Sequence, residues 1–266
     1  MKPDRFFQRW QRRRDRLFTE SQARWRAVVR RGEAEEIHAL RVVLRRLRLL
    51  VRVGRPLFAP HTVNAFQHWA RGLARATGEI RDLDVALEWL ATRPEADPTL
   101  TARIKARRDR LWAKAGRNWR PLPARVSAAV RHPQRGDKAA ACLARRFNRI
   151  ERRLKAGLRA NLPHFFKLSP DEQHAFRRYL RWWRYLRELG LPRRKQAGDR
   201  LLAQMIALQE ATGSHQNRLV TVAALTKQRA RSAATTLKVL EREAAGQRQA
   251  ICRALRALAA NRGWRC

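Results

Sequence analysis

Acidic side chains are what this chain most conspicuously lacks. Its 266 residues carry 22 Asp and Glu against 61 Lys and Arg, a formal net charge of +39. Cysteine is scarce as well. Cys142, Cys252 and Cys266 are odd in number and have no metal-ligand spacing, so neither a disulfide framework nor a cysteine metal site is expected. A reducing, cytoplasmic compartment fits that usage. With 12 Gly and 11 Pro the chain is poor in turn formers, which argues against a loop-rich or all-β protein. No stretch reaches the roughly 18 uncharged apolar residues of a membrane span. The opening Met1-Lys2-Pro3-Asp4-Arg5-Phe6 meets charge at once, so no secretory leader is expected. No set of His, Cys and Asp has metal-ligand spacing, and no Gly-rich phosphate loop is present. No cofactor and no metal are therefore expected.

What the chain does have is apolar bulk and arginine. Hydrophobic residues make up 44%, enough for a packed core and too much for a disordered basic tail. Of the 61 basic residues 52 are Arg and 9 are Lys. Arg presents a planar fork of donors that matches phosphate oxygens two at a time, whereas Lys acts as a point charge. A GC-rich genome inflates Arg at the expense of Lys, but it does not create a surplus over acid. The surplus is spread along the chain: residues 1–133 are net +18 and residues 134–266 net +21. So much like charge strains a compact fold, and a polyanionic partner relieves it.

The apolar spacing is helical nearly everywhere. Leu40, Val43, Leu44, Leu47, Leu50 and Val51 recur on one helix face. Gly54-Arg55-Pro56 and Pro60 end that helix. Asp97 caps a helix that Pro98 opens, and Ser169-Pro170-Asp171-Glu172 reads as a capping box. Trp119 to Asp137, with Pro121, Pro123, Pro133 and Gly136, reads as a linker. The breakers leave about eight helices, four on each side.

The two sides repeat. His38-x-x-Arg41-x-x-x-Arg45-x-x-Arg48 returns as His174-x-x-Arg177-x-x-x-Arg181-x-x-Arg184. Ala76-Thr77-Gly78 returns as Ala211-Thr212-Gly213, 40 positions after the first histidine to its Gly and 39 after the second. Two motifs kept at nearly one spacing mark a tandem duplication of a four-helix unit. The expected boundaries are 1–120 for the first repeat, 121–137 for the linker and 138–266 for the second.

At 100° per residue, His38, Arg41, Arg45, Arg48 and Arg52 share a sector roughly 80° wide. The core face lies opposite, and Val42, Leu49 and Val53 flank the stripe on its other side. Apolar flanks on both sides point to a groove between packed elements. His174, Arg177, Arg181 and Arg184 form a second such stripe, between Phe176, Leu180 and Trp183 on one side and Tyr185 and Leu189 on the other. Successive turns set guanidinium groups about 5.4 Å apart, so a threadlike phosphate polymer laid along the helix meets one Arg after another. No base-reading element is evident, so binding is expected to follow charge and shape. The plainer alternative is a solvated basic face, which like-charge repulsion without acidic neighbours at i±4 disfavours. Beside so many cations the histidines are expected to stay neutral and to orient or donate. Arg81, Asp82 and Asp84 look catalytic or metal-binding at first sight. The structural reading is favoured, with Asp82 pairing with a motif-helix Arg and Asn217 as its polar counterpart. Adjacent Trp182 and Trp183 point in different directions and cannot both enter one seam. Arg107 and Arg108 read as exposed charges away from the stripes.

His38-x-x-Arg41-x-x-x-Arg45-Arg46-Leu47-Arg48, followed by Arg81-Asp82-Leu83-Asp84-Val85, closely resembles the CHAD domain, the conserved histidine α-helical domain, over nearly the whole chain. In the second half Trp182-Trp183 and Gln216-Asn217 depart from the family pattern. The resemblance implies an all-α fold of two pseudo-symmetric four-helix bundles around a basic cavity. It also implies binding of inorganic polyphosphate through His38, Arg41, Arg45, Arg48, His174, Arg177, Arg181 and Arg184, with association of some members with polyphosphate granules. Arg52 joins this set from the helix geometry. Two other readings remain. One is a sequence-nonspecific nucleic-acid-binding protein, since any chain of this charge adheres to RNA or DNA at low salt. The other is an enzyme acting on polyphosphate, which lacks the usual carboxylate–metal cluster, so a non-catalytic role is expected.

Overall fold

The computed structural model describes residues 2–93, 96–116, 119–134, 138–227, 231–261 and 264. Gly136, Asp137 and Cys266, which entered the sequence reading, lie outside the described residues, as does Met1. Helices α1 (Pro3–Arg31), α2 (Ala34–Val53), α3 (Pro60–Ala76), α4 (Gly78–Ala91) and α5 (Pro98–Gly116) make the first half. α6 (Ala124–Arg131) follows, then α7 (Ala139–Asn161), α8 (Pro170–Gly190), the single turn α9 (Arg193–Gln196), α10 (Arg200–Thr226) and α11 (Arg231–Ala259). The fold is all-α, with no strand among the described residues.

Local chemistry sets the helix ends. The Ser169 hydroxyl accepts from the Glu172 N–H, and the Glu172 carboxylate accepts from the Ser169 N–H at 2.8 Å, which is the expected capping box. The Asp97 carboxylate accepts from Thr99 N–H at 2.8 Å ahead of Pro98. Between α1 and α2 the chain turns at Gly32, whose φ of 65° is left-handed. Its N–H donates to Val28 O at 2.9 Å. Trp112 covers this turn so closely that an added Cβ would sit 2.1 Å from its ring.

The α2 face expected to enter the core does so: Leu40, Val43, Leu44, Leu47, Leu50 and Val51 are all buried. The flank residues Leu49 and Val53 are buried too. Trp10 crosses from α1 and donates its indole N–H to Leu50 O at 3.0 Å. A main apolar cluster joins α1, α2 and α3 to α7, α8, α10 and α11, and a smaller one joins α4 and α5 to α10 and α11. Both draw side chains from both halves. The two halves of the chain thus share their cores, with α1 against α7 through the Phe6–Phe147 edge contact and α4 against α10.

The two sequence motifs fall on α2 and α8 for His38 and His174, and the Ala-Thr-Gly segments fall at the α3–α4 junction and within α10: α10 runs on through Thr212, whereas α3 and α4 are separated by one residue, Thr77. Both threonines are buried, and each donates its hydroxyl to the carbonyl four residues back, Leu73 or Leu208, at 2.8 Å. Such back-bonding bends helices.

The segment expected as a plain linker contains α6. Pro123 starts that helix, and Gln134 N–H donates to Leu57 O at 2.7 Å, tying the segment to the first half. The proline clusters mark the two ends of a helix here, so the composition that signals a linker hid eight residues of regular structure.

Gly32→Ala is expected to destabilise the fold. The left-handed backbone alone costs about 1 kcal/mol for a residue with a Cβ, and the Trp112 ring must also shift. Thermal unfolding should show a fall on the order of 5 °C; an unchanged midpoint would contradict the packing described for this turn.

Candidate functional site

Helices α2 and α8 lie against each other and bring the two predicted stripes together. Arg52 on α2 rests over the Trp182 ring of α8, with its guanidinium carbon 5.0 Å from the ring centroid. Trp183, the neighbouring residue, turns the other way and is buried against Trp264. The adjacent tryptophans thus divide between the arginine stripe of α2 and the core, as their angular separation requires.

Arg41, Arg45, Arg48, Arg177, Arg181 and Arg184 are all partly buried. Five of them, Arg41, Arg45, Arg177, Arg181 and Arg184, lie within one another's electrostatic reach, whereas Arg48 feels Arg71 and Arg52 instead. Arg45 is pushed down to about 10, first by burial and next by Arg181 of the other half, with Arg81 and Arg184 adding. Arg177 is likewise pushed down to about 10 by burial, then by Arg181 and Arg45. Burial lowers Arg181 and Arg41 as well, with Arg184 and Arg41 adding at Arg181, and Arg45 and Arg81 at Arg41. All remain charged at neutral pH. The buried Nε–H groups of Arg45 and Arg177 have no acceptor among the described residues.

Neutral groups do most of the positioning. Arg41 donates to Ala74 O at 2.6 Å and to Thr77 Oγ1 at 2.8 Å. Arg48 Nε donates to Gln67 Oε1 at 3.0 Å, while Gln67 returns a bond to Arg48 O at 2.9 Å. Arg177 lies beside Gly213, the counterpart of Gly78. The Ala-Thr-Gly repeat is therefore where the first arginine of each stripe docks. A cavity of about 50 Å³ lies between Arg45, Arg48, Arg52, Gln67 and Trp182. Of these stripe arginines, Arg184 alone forms a carboxylate ion pair among the described residues, with Glu188 at 3.1 Å.

The orienting residues depart from expectation. Asp82 is exposed and feels Arg41 electrostatically, but Arg41 spends its hydrogen bonds on Ala74 and Thr77. Arg81 pairs with Glu88 at 2.6 Å while its charge reaches His38 and Arg45. Asp84 points to the interior and pairs with Arg108 at 3.0 Å. Asn217 is exposed, and its carbonyl accepts from Thr221. Arg107 and Arg108 are not free charges: they pair with Glu79 and Asp84. Their spacing gives no hint of this, because both partners come from α4.

Burial, then Arg81 and Arg45, hold the His38 imidazole below its usual range. Partial loss of water, followed by Arg177 and Arg178, does the same at His174. His215 on α10, which the sequence did not single out, is lowered by burial and by Arg218 and Arg177. Its one available signal was position, two residues beyond Gly213. Among the described residues no group of His, Cys, Asp and Glu is placed to hold a metal ion. Nor is any described helix long and apolar enough to cross a membrane.

The CHAD domain model matches residues 13–226. The fold is similar to that of the CHAD domain from the plant Ricinus communis, with a TM-score of 0.67 at 21% identity over 96% of this chain and 92% of that one. It is also similar to PptA from Streptomyces chartreusis, with a TM-score of 0.55 at 19% identity over 95% and 97% of the two chains. Comparison with curated proteins returned no match.

Two outcomes are expected of the free protein. Arg45→Met removes a half-buried, repelled charge and should raise the melting midpoint by a few degrees (about 2–4 °C per kcal/mol); a lower midpoint would show that the charge is compensated. Histidines whose folded pKa is depressed bind fewer protons than the unfolded chain, so stability is lost as pH falls through their unfolded value near 6.5. Unfolding midpoints should fall between pH 7.5 and 5.5, and fall less in His38→Gln with His174→Gln.

Proposed function

This chain belongs to the CHAD domain family, and from that premise we propose that it binds inorganic polyphosphate, without chemistry, in the groove between α2 and α8. The observation that carries the reading is the convergence of five arginines, Arg41, Arg45, Arg177, Arg181 and Arg184, from α2 and α8 with one carboxylate, Glu188, among their direct partners in the described residues. A chain of phosphates supplies acceptors at every guanidinium fork, including the unpartnered Nε–H groups of Arg45 and Arg177. It also replaces mutual repulsion with attraction. His38 and His174, kept neutral, donate to phosphate oxygens at the ends of the stripes, and Arg52 with Trp182 forms a wall. The proposed setting is the cytoplasm, at polyphosphate granules.

A nucleic-acid backbone offers the same charge in a bulkier form, with bases that need stacking platforms or edge-reading groups. The groove presents guanidinium groups on both walls, and Trp182 is already covered by Arg52. Thin, unbranched polyphosphate is the better match.

Long-chain polyphosphate should displace single-stranded RNA at about 150 mM salt and should raise the melting midpoint. Arg45→Glu with Arg181→Glu should weaken polyphosphate binding at least tenfold, at roughly 1.5–3 kcal/mol per charged hydrogen bond. The comparison variant is Arg103→Glu with Arg110→Glu, exposed residues of α5 that replace the paired Arg107 and Arg108 as controls. Equal losses in both would assign binding to diffuse charge. Phosphate release in a divalent-metal assay would overturn the non-catalytic reading.

A further inference from the structure

A second basic cavity lies on the flank of α2 away from the stripe. It measures about 660 Å³ and is bounded by α1, α2, α8 and α9. Six guanidinium groups line it, those of Arg9, Arg12, Arg13, Arg16, Arg46 and Arg193, against two carboxylates, Glu20 and Glu188. None of the six is among the residues of the two stripes, although Arg46 stands within the α2 motif between Arg45 and Arg48. Arg9, Arg12, Arg13 and Arg16 form their own stripe along α1, at the three- and four-residue spacing of one helix face.

The carboxylates cannot neutralise this ring. Glu188, buried in the seam, already meets Arg13 at 3.3 Å and Arg46 at 3.5 Å from the cavity, and Arg184 at 3.1 Å from the groove. Its carbonyl also accepts from Arg13 at 3.0 Å and from Gln196 at 2.8 Å. The Nε–H groups of Arg9 and Arg46 are buried with no acceptor among the described residues. Burial and then Arg12 lower Arg9; burial, opposed by Glu188 and reinforced by Arg46, Arg16 and Arg193, lowers Arg13. A partition separates this cavity from the groove: Arg46 and Arg184 lie over the buried Tyr185 ring at 4.9 and 5.2 Å.

We propose that this α1–α2–α8 cavity is a second anion site, which takes a compact condensed phosphate such as tripolyphosphate. Many guanidinium forks around one open concavity match clustered phosphate oxygens, whereas a single carboxylate or chloride satisfies one or two. The cavity far exceeds the roughly 30 Å³ that one water occupies in the liquid, so a multiply charged anion fits. The site uses different arginines from the groove and stands independently of it.

The test is calorimetric titration of the full chain with tripolyphosphate at about 150 mM salt. Arg12 and Arg16 are exposed at the cavity rim, so Arg12→Glu with Arg16→Glu leaves the core untouched, and its melting curve checks the fold. This variant should lose one bound tripolyphosphate, or bind it at least tenfold more weakly, while Arg103→Glu with Arg110→Glu does not. Arg45→Glu with Arg181→Glu should retain the cavity site. If wild type binds a single tripolyphosphate that Arg12→Glu with Arg16→Glu abolishes, the cavity stands and the groove reading fails for this ligand. Unchanged binding in Arg12→Glu with Arg16→Glu, or equal loss in the α5 control, overturns the proposal. Loss of every site in Arg45→Glu with Arg181→Glu overturns it too. A titration with long-chain polyphosphate distinguishes a free short anion from the end of a long polymer: only the latter gives one event that depends on both sets of arginines.

Discussion

Repulsion among half-buried guanidinium groups is the constraint under which the rest of this fold is built. Two unit charges 4 Å apart repel by about 4 kcal/mol at an effective dielectric constant of 20. The α2–α8 seam holds five such groups within range of one another, Arg41, Arg45, Arg177, Arg181 and Arg184. What holds the helices together must come from elsewhere. Leu47 and Val51 on α2, and Leu180, Trp183 and Leu186 on α8, are buried behind the charged rows. A core drawn from both halves resists the opening that repulsion favours. Had the halves been separate bundles, the easiest relief would have been to swing apart.

Arginine makes this arrangement tolerable in a way that lysine does not. A guanidinium group is weakly hydrated and planar, so it loses less on partial burial and stacks on rings. Arg52 on Trp182, Arg46 and Arg184 on Tyr185, and Arg14 on Trp10 all use that property. Neutral acceptors then hold the forks without cancelling their charge. Ala74 O and Thr77 fix Arg41, and Gln67 fixes Arg48. A carboxylate in either place would fix the geometry equally well and consume the charge. Exposed Asp82 is close enough to moderate Arg41 and takes none of its hydrogen bonds.

The stripes were legible because they depend on helical period alone. Once α2 and α8 are helices, His38 through Arg52 and His174 through Arg184 must each share a face. The capping box at Ser169 and the divergence of Trp182 and Trp183 are equally local. Partners distant in sequence were not legible. Glu188 meets Arg13 across 175 positions, and Asp84 meets Arg108 across 24, through helix packing that no spacing encodes. The expected Asp82 pairing failed for the same reason: a nearby carbonyl and hydroxyl, invisible in a count of charges, were better placed. Helix α6 was missed because prolines at its two ends were read as a continuous break. The Ala-Thr-Gly repeat is the instructive middle case. The sequence marked both copies, but only packing gives them their common task of seating Arg41 and Arg177.

Glu188 shows why a chain so short of acid keeps a carboxylate at this point. Three guanidinium groups from α1, α2 and α8 converge on it, Arg13 and Arg46 from the cavity side and Arg184 from the α8 stripe. Without an internal counter-charge that junction would bury uncompensated cations, which costs far more than leaving them at a rim. At that junction the sequence supplies the anion itself, while the Nε–H groups of Arg9, Arg45 and Arg177 have no acceptor among the described residues. One carboxylate thus answers three cations at the junction of α1, α2 and α8, and the other arginines of the α2 and α8 stripes form no carboxylate ion pair among the described residues.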